Sequence, residues 1–278
     1  MNVLVTGSNG FLAREIKDFF SKIPFYNLIL TNRKSLDVTD PFAVDQFFKD
    51  YHIDIVIHTA VCGGKRGRLD TIEDLYNNIR MFDNLSRHSD KFKIMINFGS
   101  GAEFDRKQPI YNALEDLIYT RLPNDYYGLS KNLITKKILD FNSNIINLRL
   151  FGCFGIHESS QRLIKNTITK FKNKTNAEIH GNFYIDYIYS EDVCRIIEFF
   201  INNHHTVRFK DLNLCYTHKQ TIKDIVFLIK SLTSSPLDVI LNKKTSINHY
   251  TGNNEILQSL NIPLLGFNKG LEEVINKL

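Results

Sequence analysis

The sequence predicts an α/β chain: a doubly wound parallel sheet first, then a smaller C-terminal domain facing a substrate. Three observations carry this. Short β-rich runs alternate with segments of helical period, the first run enters a helix through a spaced-glycine turn, and the alternation fades after about Gly155. The division falls at residues 1–155 and 156–278, with later strands expected to return to the first domain.

The expected strands are Val3 to Thr6, Leu28 to Thr31, Ile53 to Thr59, Lys93 to Phe98 and Ile145 to Leu150. After the first, Leu12, Ile16, Phe19, Phe20 and Ile23 recur at helical spacing, so that segment packs one face inward. Asp40 followed by Pro41 supplies an N-cap and a first-turn proline for a helix through Val44, Phe47 and Phe48. The segment Glu158 to Asn182 is polar and basic with one helical pattern. Tyr184 to Tyr189 and Leu212 to Tyr216 are strand-like.

A chain of 278 residues can bury a sizeable core. The opening run reads as a buried strand rather than an export signal, and no apolar stretch approaches the ~20 residues that cross a bilayer. A cytoplasmic protein without membrane contact is the expectation. Cys62, Cys153, Cys194 and Cys215 lie far apart with no Cys-x-x-Cys pair, which favours reduced core thiols, and no metal site is expected. The net charge of +5 is spread along the chain; it suits an anionic ligand and does not call for nucleic acid.

Gly7, Gly10 and Ala13 form a G-x-x-G-x-x-A pattern between the first strand and helix, the position of a Rossmann-type dinucleotide site. The glycines let backbone amides approach a pyrophosphate at the positive end of the helix, and Ala13 permits close packing on the sheet. Asn9, Phe11 and Leu12 belong to the same cofactor-facing turn. The second strand ends Thr31-Asn32-Arg33. Arg33 can hold the 2′-phosphate of NADP(H), and no carboxylate competes at that point, so NADPH is expected with NADH as the alternative.

Tyr127 and Lys131 share one helical face in Asp-Tyr-Tyr-Gly-Leu-Ser-Lys. A lysine ammonium there is expected to lower the phenol pKa and to hold nicotinamide ribose hydroxyls. Ser100, at the end of a strand, can polarise a carbonyl. Tyr-x-x-x-Lys alone arises often by chance on helices; the glycine turn, serine and pair in this order are far more specific.

On these residues the chain resembles the extended short-chain dehydrogenase/reductase superfamily, in its nucleotide-sugar reductase and epimerase branch. The run from Leu28 to Asp40, Asp54-Ile-Val-Ile-His-Thr-Ala60 and Gly63-Gly64 are similar to GDP-fucose synthases and, more loosely, dTDP-4-dehydrorhamnose reductases. The resemblance implies that Asp37 and Val38 meet adenine, that Thr59, Ala60 and Val61 line the cofactor channel, and that Asn78 is the family's helix asparagine. It also implies that Leu150, Phe151 and Gly152 pass beside nicotinamide and that the amphipathic segment from Asp70 to Arg87 and the catalytic helix Tyr126 to Phe141 pair in a homodimer.

Two departures narrow the expectation. Where the family's dehydratases carry Thr-Asp-Glu this chain has Ser100-Gly101-Ala102, with Glu103 one place out of register, and Ala102 also stands where GDP-fucose synthases epimerise with a cysteine. Ile185 replaces the family's diphosphate-binding arginine, leaving Arg162 and Lys165 as candidate partners for a nucleotide-sugar diphosphate. His157, Ala102 and Tyr127 are the candidate sugar contacts. The expected activity is NADPH-dependent reduction of the C4 ketone of a nucleoside-diphosphate deoxyhexose or heptose, in glycan precursor synthesis. A 4-epimerase would use the same residues with a tightly held NAD, and a dinucleotide-sensing or RNA-associated module would keep the fold without catalysis.

Overall fold

The computed structural model describes residues 1–65, 67–141, 144–206, 208–242 and 248–278. In chain order, β1 (Asn2–Thr6) leads into α1 (Phe11–Phe20), followed by β2 (Asn27–Leu30), α2 (Pro41–Asp50), β3 (Ile55–His58), α3 (Ile72–Ser86) and β4 (Ile94–Ser100). Next come β5 (Ile110–Ala113), α4 (Tyr126–Asp140), β6 (Ile145–Leu150), β7 (Cys153–Phe154), α5 (Leu163–Lys172), β8 (Ala177–Ile179), β9 (Tyr184–Ile185) and β10 (Ile188–Tyr189). The chain closes with α6 (Ser190–Asn203), β11 (Asp211–Leu214), β12 (Gln220–Thr221), α7 (Ile222–Leu232), β13 (Val239–Leu241), β14 (Tyr250–Gly252), α8 (Glu255–Ser259) and α9 (Phe267–Lys277).

Six strands form the central sheet in the order β11-β6-β4-β3-β1-β2, all pairs parallel. The order reverses between β1 and β3, where an open α/β sheet leaves a crevice at its carboxyl edge. Alternation along the strands builds two cores. Val3, Val5, Ile55, Ile57, Ile94 and Ile96 face one cluster, under α1 and α6. Leu4, Val56 and Met95 point into the other, beneath α3 and α4. The Asp40 side chain accepts from Phe42 N–H at 2.9 Å with Pro41 in the first turn, as the sequence predicts for α2. No helix among the described residues is long and apolar enough to cross a membrane, and the four cysteines are free thiols.

The later chain is more ordered than the sequence pattern implies. α6 packs on α1 and β11 extends the central sheet, while α5, α7 and α9 gather around a third core with Phe154, Tyr187 and Tyr189. The strand expected from Tyr184 to Tyr189 is two short strands, β9 and β10. It breaks at Asp186, whose buried carboxylate accepts from Gly252 N–H at 2.8 Å and from Lys219 Nζ at 2.9 Å. A second sheet, β12-β9-β14-β5, includes strands β5 and β14 that local pattern did not predict. Each is a short strand whose pairing depends on a distant partner.

Across the carboxyl half of the central sheet runs a buried polar network. Arg149, on β6, is fully buried; its Nε donates to Glu103 at 2.9 Å, Nη2 to Asp211 at 2.6 Å and Nη1 to Asn213 at 3.0 Å. Its guanidinium lies 4.5 Å over the Phe104 ring. Glu103 also accepts from Ser100 N–H at 2.7 Å and Thr135 Oγ1 at 3.0 Å. Removing one partner of such an ion cluster strands the others in a low-dielectric interior. Arg149→Met should therefore lower the urea unfolding free energy by about 3–5 kcal/mol; a change under about 1 kcal/mol would show that the two carboxylates tolerate losing their cation.

Candidate functional site

The site forms where the glycine turn after β1, the ends of β3 and β4 and the start of α4 converge. Gly7 has φ +69°, and a Cβ there would lie 2.8 Å from the backbone N and Cα of Ala60. Gly10 N–H donates to Gly7 O at 2.9 Å, and Ser8 N–H to Thr31 O at 2.9 Å, which closes the turn. Gly10 is the N-cap of α1, which has no side-chain cap and no acidic residue in its first turn. Uncapped amides at a positive helix end fit a pyrophosphate. Asn9 and Gly10 are exposed, Phe11 and Leu12 half-buried, and Ala13 packs against the sheet as expected.

At the end of β2, Arg33 extends into solvent, with its side chain 78% exposed. The expectation that no carboxylate competes there needs correcting: Arg33 Nε bonds Asp37 Oδ2 at 3.2 Å, because the turn brings these residues together. Asp37 resists the upward push of partial burial; bonds from Thr39 and Arg33 hold its carboxyl below the usual range. Val38 is buried in the second core, its carbonyl accepting from Asn84.

The β3 end is latched to β1. Thr59 Oγ1 donates to Thr6 O at 2.6 Å, Ala60 N–H donates to Thr6 Oγ1 at 3.2 Å, and His58 Nδ1 lies 2.8 Å from the same hydroxyl. Burial, aided by the charge of Lys131, pushes His58 down to about 3, so its imidazole is neutral. Val61 is exposed. Asn78 is turned to protein groups: Nδ2 donates to Cys62 O at 2.9 Å and Ser130 Oγ at 3.0 Å, and Oδ1 accepts from Cys62 N–H at 2.8 Å. It fastens the loop after β3 to the third and fourth helices instead of facing the crevice.

Ser100 closes β4, its Oγ accepting from Ala102 N–H at 3.2 Å. α4 begins at Tyr126 because Asp125 caps it, accepting from Gly128 N–H at 2.8 Å. That start brings Tyr127 toward Ser100, whose hydroxyl tempers the rise of the phenol pKa. Gly64, at φ +67°, leaves room for the Tyr127 ring: a Cβ there would sit 2.8 Å from Cε2. One turn on, Lys131 is buried and its Nζ donates to Phe98 O at 2.8 Å.

The expected lowering of the tyrosine does not occur in the free protein. Burial raises the Tyr127 phenol above its ordinary value, only partly opposed by Ser100 and by the charges of Arg106 and Arg162. The Lys131 ammonium is aimed at a carbonyl, and desolvation brings it down to about 8 despite the charge of Glu103. The constellation thus holds a protonated phenol beside a lysine poised near neutrality.

Leu150, Phe151 and Gly152 follow β6 into the site. Phe151 packs 5.2 Å edge-on to Tyr250, and a Cβ on Gly152 would lie 2.7 Å from Asp186 O. Several sequence candidates are drawn elsewhere. Ala102 is 1% exposed, packed where Gly128 lets the α4 backbone approach its carbonyl, so it offers no contact surface. His157 faces α1, with Nε2 2.6 Å from Asp18 and its N–H donating to Glu15 at 2.7 Å. Lys165 donates to Ile156 O at 2.6 Å. Arg162 pairs with the buried Glu158 at 3.0 Å, yet its charge still reaches Tyr127. Two neighbours escaped the sequence reading: Arg106, 6.0 Å over the Tyr127 ring, and Tyr250, whose hydroxyl lies 3.5 Å from Ser100 Oγ. Neither stands in a motif, and no local spacing signals them.

A family model for the NAD dependent epimerase/dehydratase family matches residues 3–215, which spans the glycine turn, Ser100, Tyr127 and Lys131. The chain belongs to this family. Among curated proteins no sequence match is found. Solved structures share the fold of this epimerase/dehydratase-family protein over its whole length. A GDP-mannoheptose C4 reductase from Campylobacter jejuni with NADP bound superposes with a TM-score of 0.84 at 19% identity, covering 100% of this chain and 98% of its own. A GDP-D-glycero-L-gluco-heptose synthase from the same organism, solved in the presence of NADPH, gives 0.84 at 17% identity over 99% and 96%. A dTDP-4-dehydrorhamnose reductase from Clostridium acetobutylicum gives 0.84 at 18% over 100% and 99%.

The glycine turn makes the dinucleotide site testable without a substrate. Gly7→Ala forces a side chain into the left-handed region and against Ala60. NADPH affinity, read by fluorescence titration, should fall by roughly tenfold or more, with a stability loss of about 1–3 kcal/mol; unchanged affinity would place the dinucleotide elsewhere.

Proposed function

We propose that this protein reduces the C4 ketone of a nucleoside-diphosphate 4-keto sugar with NADPH. What carries the reading is the convergence of Tyr127, Ser100 and the buried Lys131 at the crevice beside the glycine turn, with burial keeping the phenol pKa raised. The dinucleotide, when bound, supplies the hydride. Ser100 and Tyr127 donate hydrogen bonds to the ketone oxygen, and Tyr127 passes its proton to that oxygen as the carbonyl carbon is reduced. Lys131, one helical turn away, balances the phenolate left behind and orients the ribose.

What the site lacks argues against dehydration and against epimerisation at the carbons beside the ketone. Gly101 has no side chain and Ala102 carries only a methyl group, packed inward, so neither can take a proton from a sugar carbon. The fold likeness to sugar-nucleotide reductases carrying NADP is in keeping with this. Arg33 keeps its terminal nitrogens beyond the Asp37 contact, a suitable fork for a 2′-phosphate. Arg162, although its Nε pairs with Glu158, is the favoured partner for the diphosphate, since its charge reaches Tyr127.

Purified protein with NADPH and a panel of nucleoside-diphosphate 4-keto sugars should lose nicotinamide absorbance with at least one, and oxidation with none of them would sink the assignment. The pH profile carries a further mark. Lys131 is charged below about pH 8 and neutral above it, whereas Tyr127 stays protonated across that range. The kcat/KM of the free enzyme should therefore decline above about pH 8, roughly tenfold per unit; a flat profile to pH 10 would remove the lysine from the rate. For cofactor choice, Arg33→Ala should cut the preference for NADPH over NADH by roughly 10- to 100-fold, and an unaltered ratio of kcat/KM values would assign the 2′-phosphate to another residue.

A further inference from the structure

The proposed reduction uses two hydroxyls, and the structure brings a third to the same point. Tyr250 stands on β14, between β5 and β9, where its backbone is paired with Ile110 and Ile185. Asp186 fixes that strand from below: its N–H donates to Tyr250 O at 3.1 Å and its carboxylate holds Gly252 N–H. The ring is seated edge-on against Phe151 and over Gly101, where a Cβ would come within 2.9 Å of Tyr250 Cζ. The glycine that leaves the site without a carboxylate is thus what admits this tyrosine.

The hydroxyls of Ser100 and Tyr250 are 3.5 Å apart, beyond the roughly 2.7–2.8 Å of a closed O–H···O bond. Ser100 Oγ accepts from Ala102 N–H, which leaves its one proton to be directed at an oxygen on the Tyr127 and Tyr250 side. Two donors at this separation suit one acceptor oxygen lying about 2.8 Å from each. Burial raises the Tyr250 phenol far above its ordinary value, so it remains a donor throughout the working range. Tyr127, from α4, approaches from a third element.

We infer that Tyr250 is a third hydrogen-bond donor to the reacting carbonyl oxygen, joining Ser100 and Tyr127 from the C-terminal part of the chain. This rests on the carbonyl-reductase reading above. Tyr250 transfers no proton; it stabilises the charge that grows on the oxygen before Tyr127 delivers its own. A consequence is that the catalytic constellation is complete only when β14 is docked beside β4, which couples substrate-side packing to the rate.

Tyr250→Phe removes one oxygen and keeps the ring against Phe151. NADPH oxidation is measured with the 4-keto sugar nucleotides and, separately, with an aromatic ortho-quinone, a carbonyl substrate that needs no sugar or diphosphate contact. We expect kcat to fall on the order of 10- to 100-fold, with the Kd for NADPH and the decline above about pH 8 unchanged. A kcat within twofold of the parent, or a loss matched by an equal loss of NADPH affinity, would overturn the inference, the second outcome assigning Tyr250 to packing. Parent enzyme that reduces the quinone but no sugar nucleotide removes the sugar reading alone, and the quinone kcat of Tyr250→Phe still decides the role of Tyr250. Parent enzyme that oxidises NADPH with neither overturns both.

Discussion

A fully buried arginine has to be neutralised, and much of this protein's chemistry is arranged by how that is done. Arg149 lies near the carboxyl end of β6 between Leu148 and Leu150, and carrying its charge out of water is tolerable only with Glu103 and Asp211 in direct contact. Glu103 also receives the Ser100 N–H and Thr135 Oγ1, so the anion that satisfies the arginine fixes the end of β4 and the inner face of α4. Asp211 also accepts from the Asn147 side-chain Nδ2, tying β11 to β6. Ser100 and Tyr127 ride on two elements that share one carboxylate. Their separation is set by buried electrostatics, which is stiffer than surface contact.

The cofactor side obeys a different constraint, that of space. A side chain at Gly7 would strike Ala60, one at Gly64 would strike Tyr127, and one at Gly101 would strike Phe151 and Tyr250. These three contacts join β1 to the loop after β3, that loop to α4, and the end of β4 to β14. Close approach at each lets short hydroxyls and amides meet at the switch point, where long side chains would hold the elements apart.

The features legible in the sequence are those whose cause is local. The turn through Gly7 and Gly10, the Asp40 cap, and the Tyr127 to Lys131 spacing each depend on residues within one or two helical turns. Five strands of the central sheet followed from alternation of apolar runs and the sixth, β11, from a strand-like run, yet β5 and β14 did not, because strands this short are defined by the partner they find. The polar candidates show the same limit. His157 and Lys165 stand as candidates for the sugar and the diphosphate, and the fold gives them Asp18 and the Ile156 carbonyl. A sequence shows that a charge exists; only packing shows what it answers.

Burial sets the protonation of Tyr127 and of Lys131 in the free site, in opposite directions. An acid needed at neutral pH has to hold its proton until the acceptor arrives, and burial does this for Tyr127. The resulting phenolate would be costly in the same low-dielectric surroundings unless a cation stood by, and desolvation keeps Lys131 near the point where it can lose or regain a proton. His58 adds no charge, since burial and Lys131 leave it neutral. The site therefore stores one proton on Tyr127 and one exchangeable proton on Lys131. In the proposed reduction, a proton lost from Tyr127 would leave a phenolate whose negative charge favours the ammonium form of Lys131, one helical turn on.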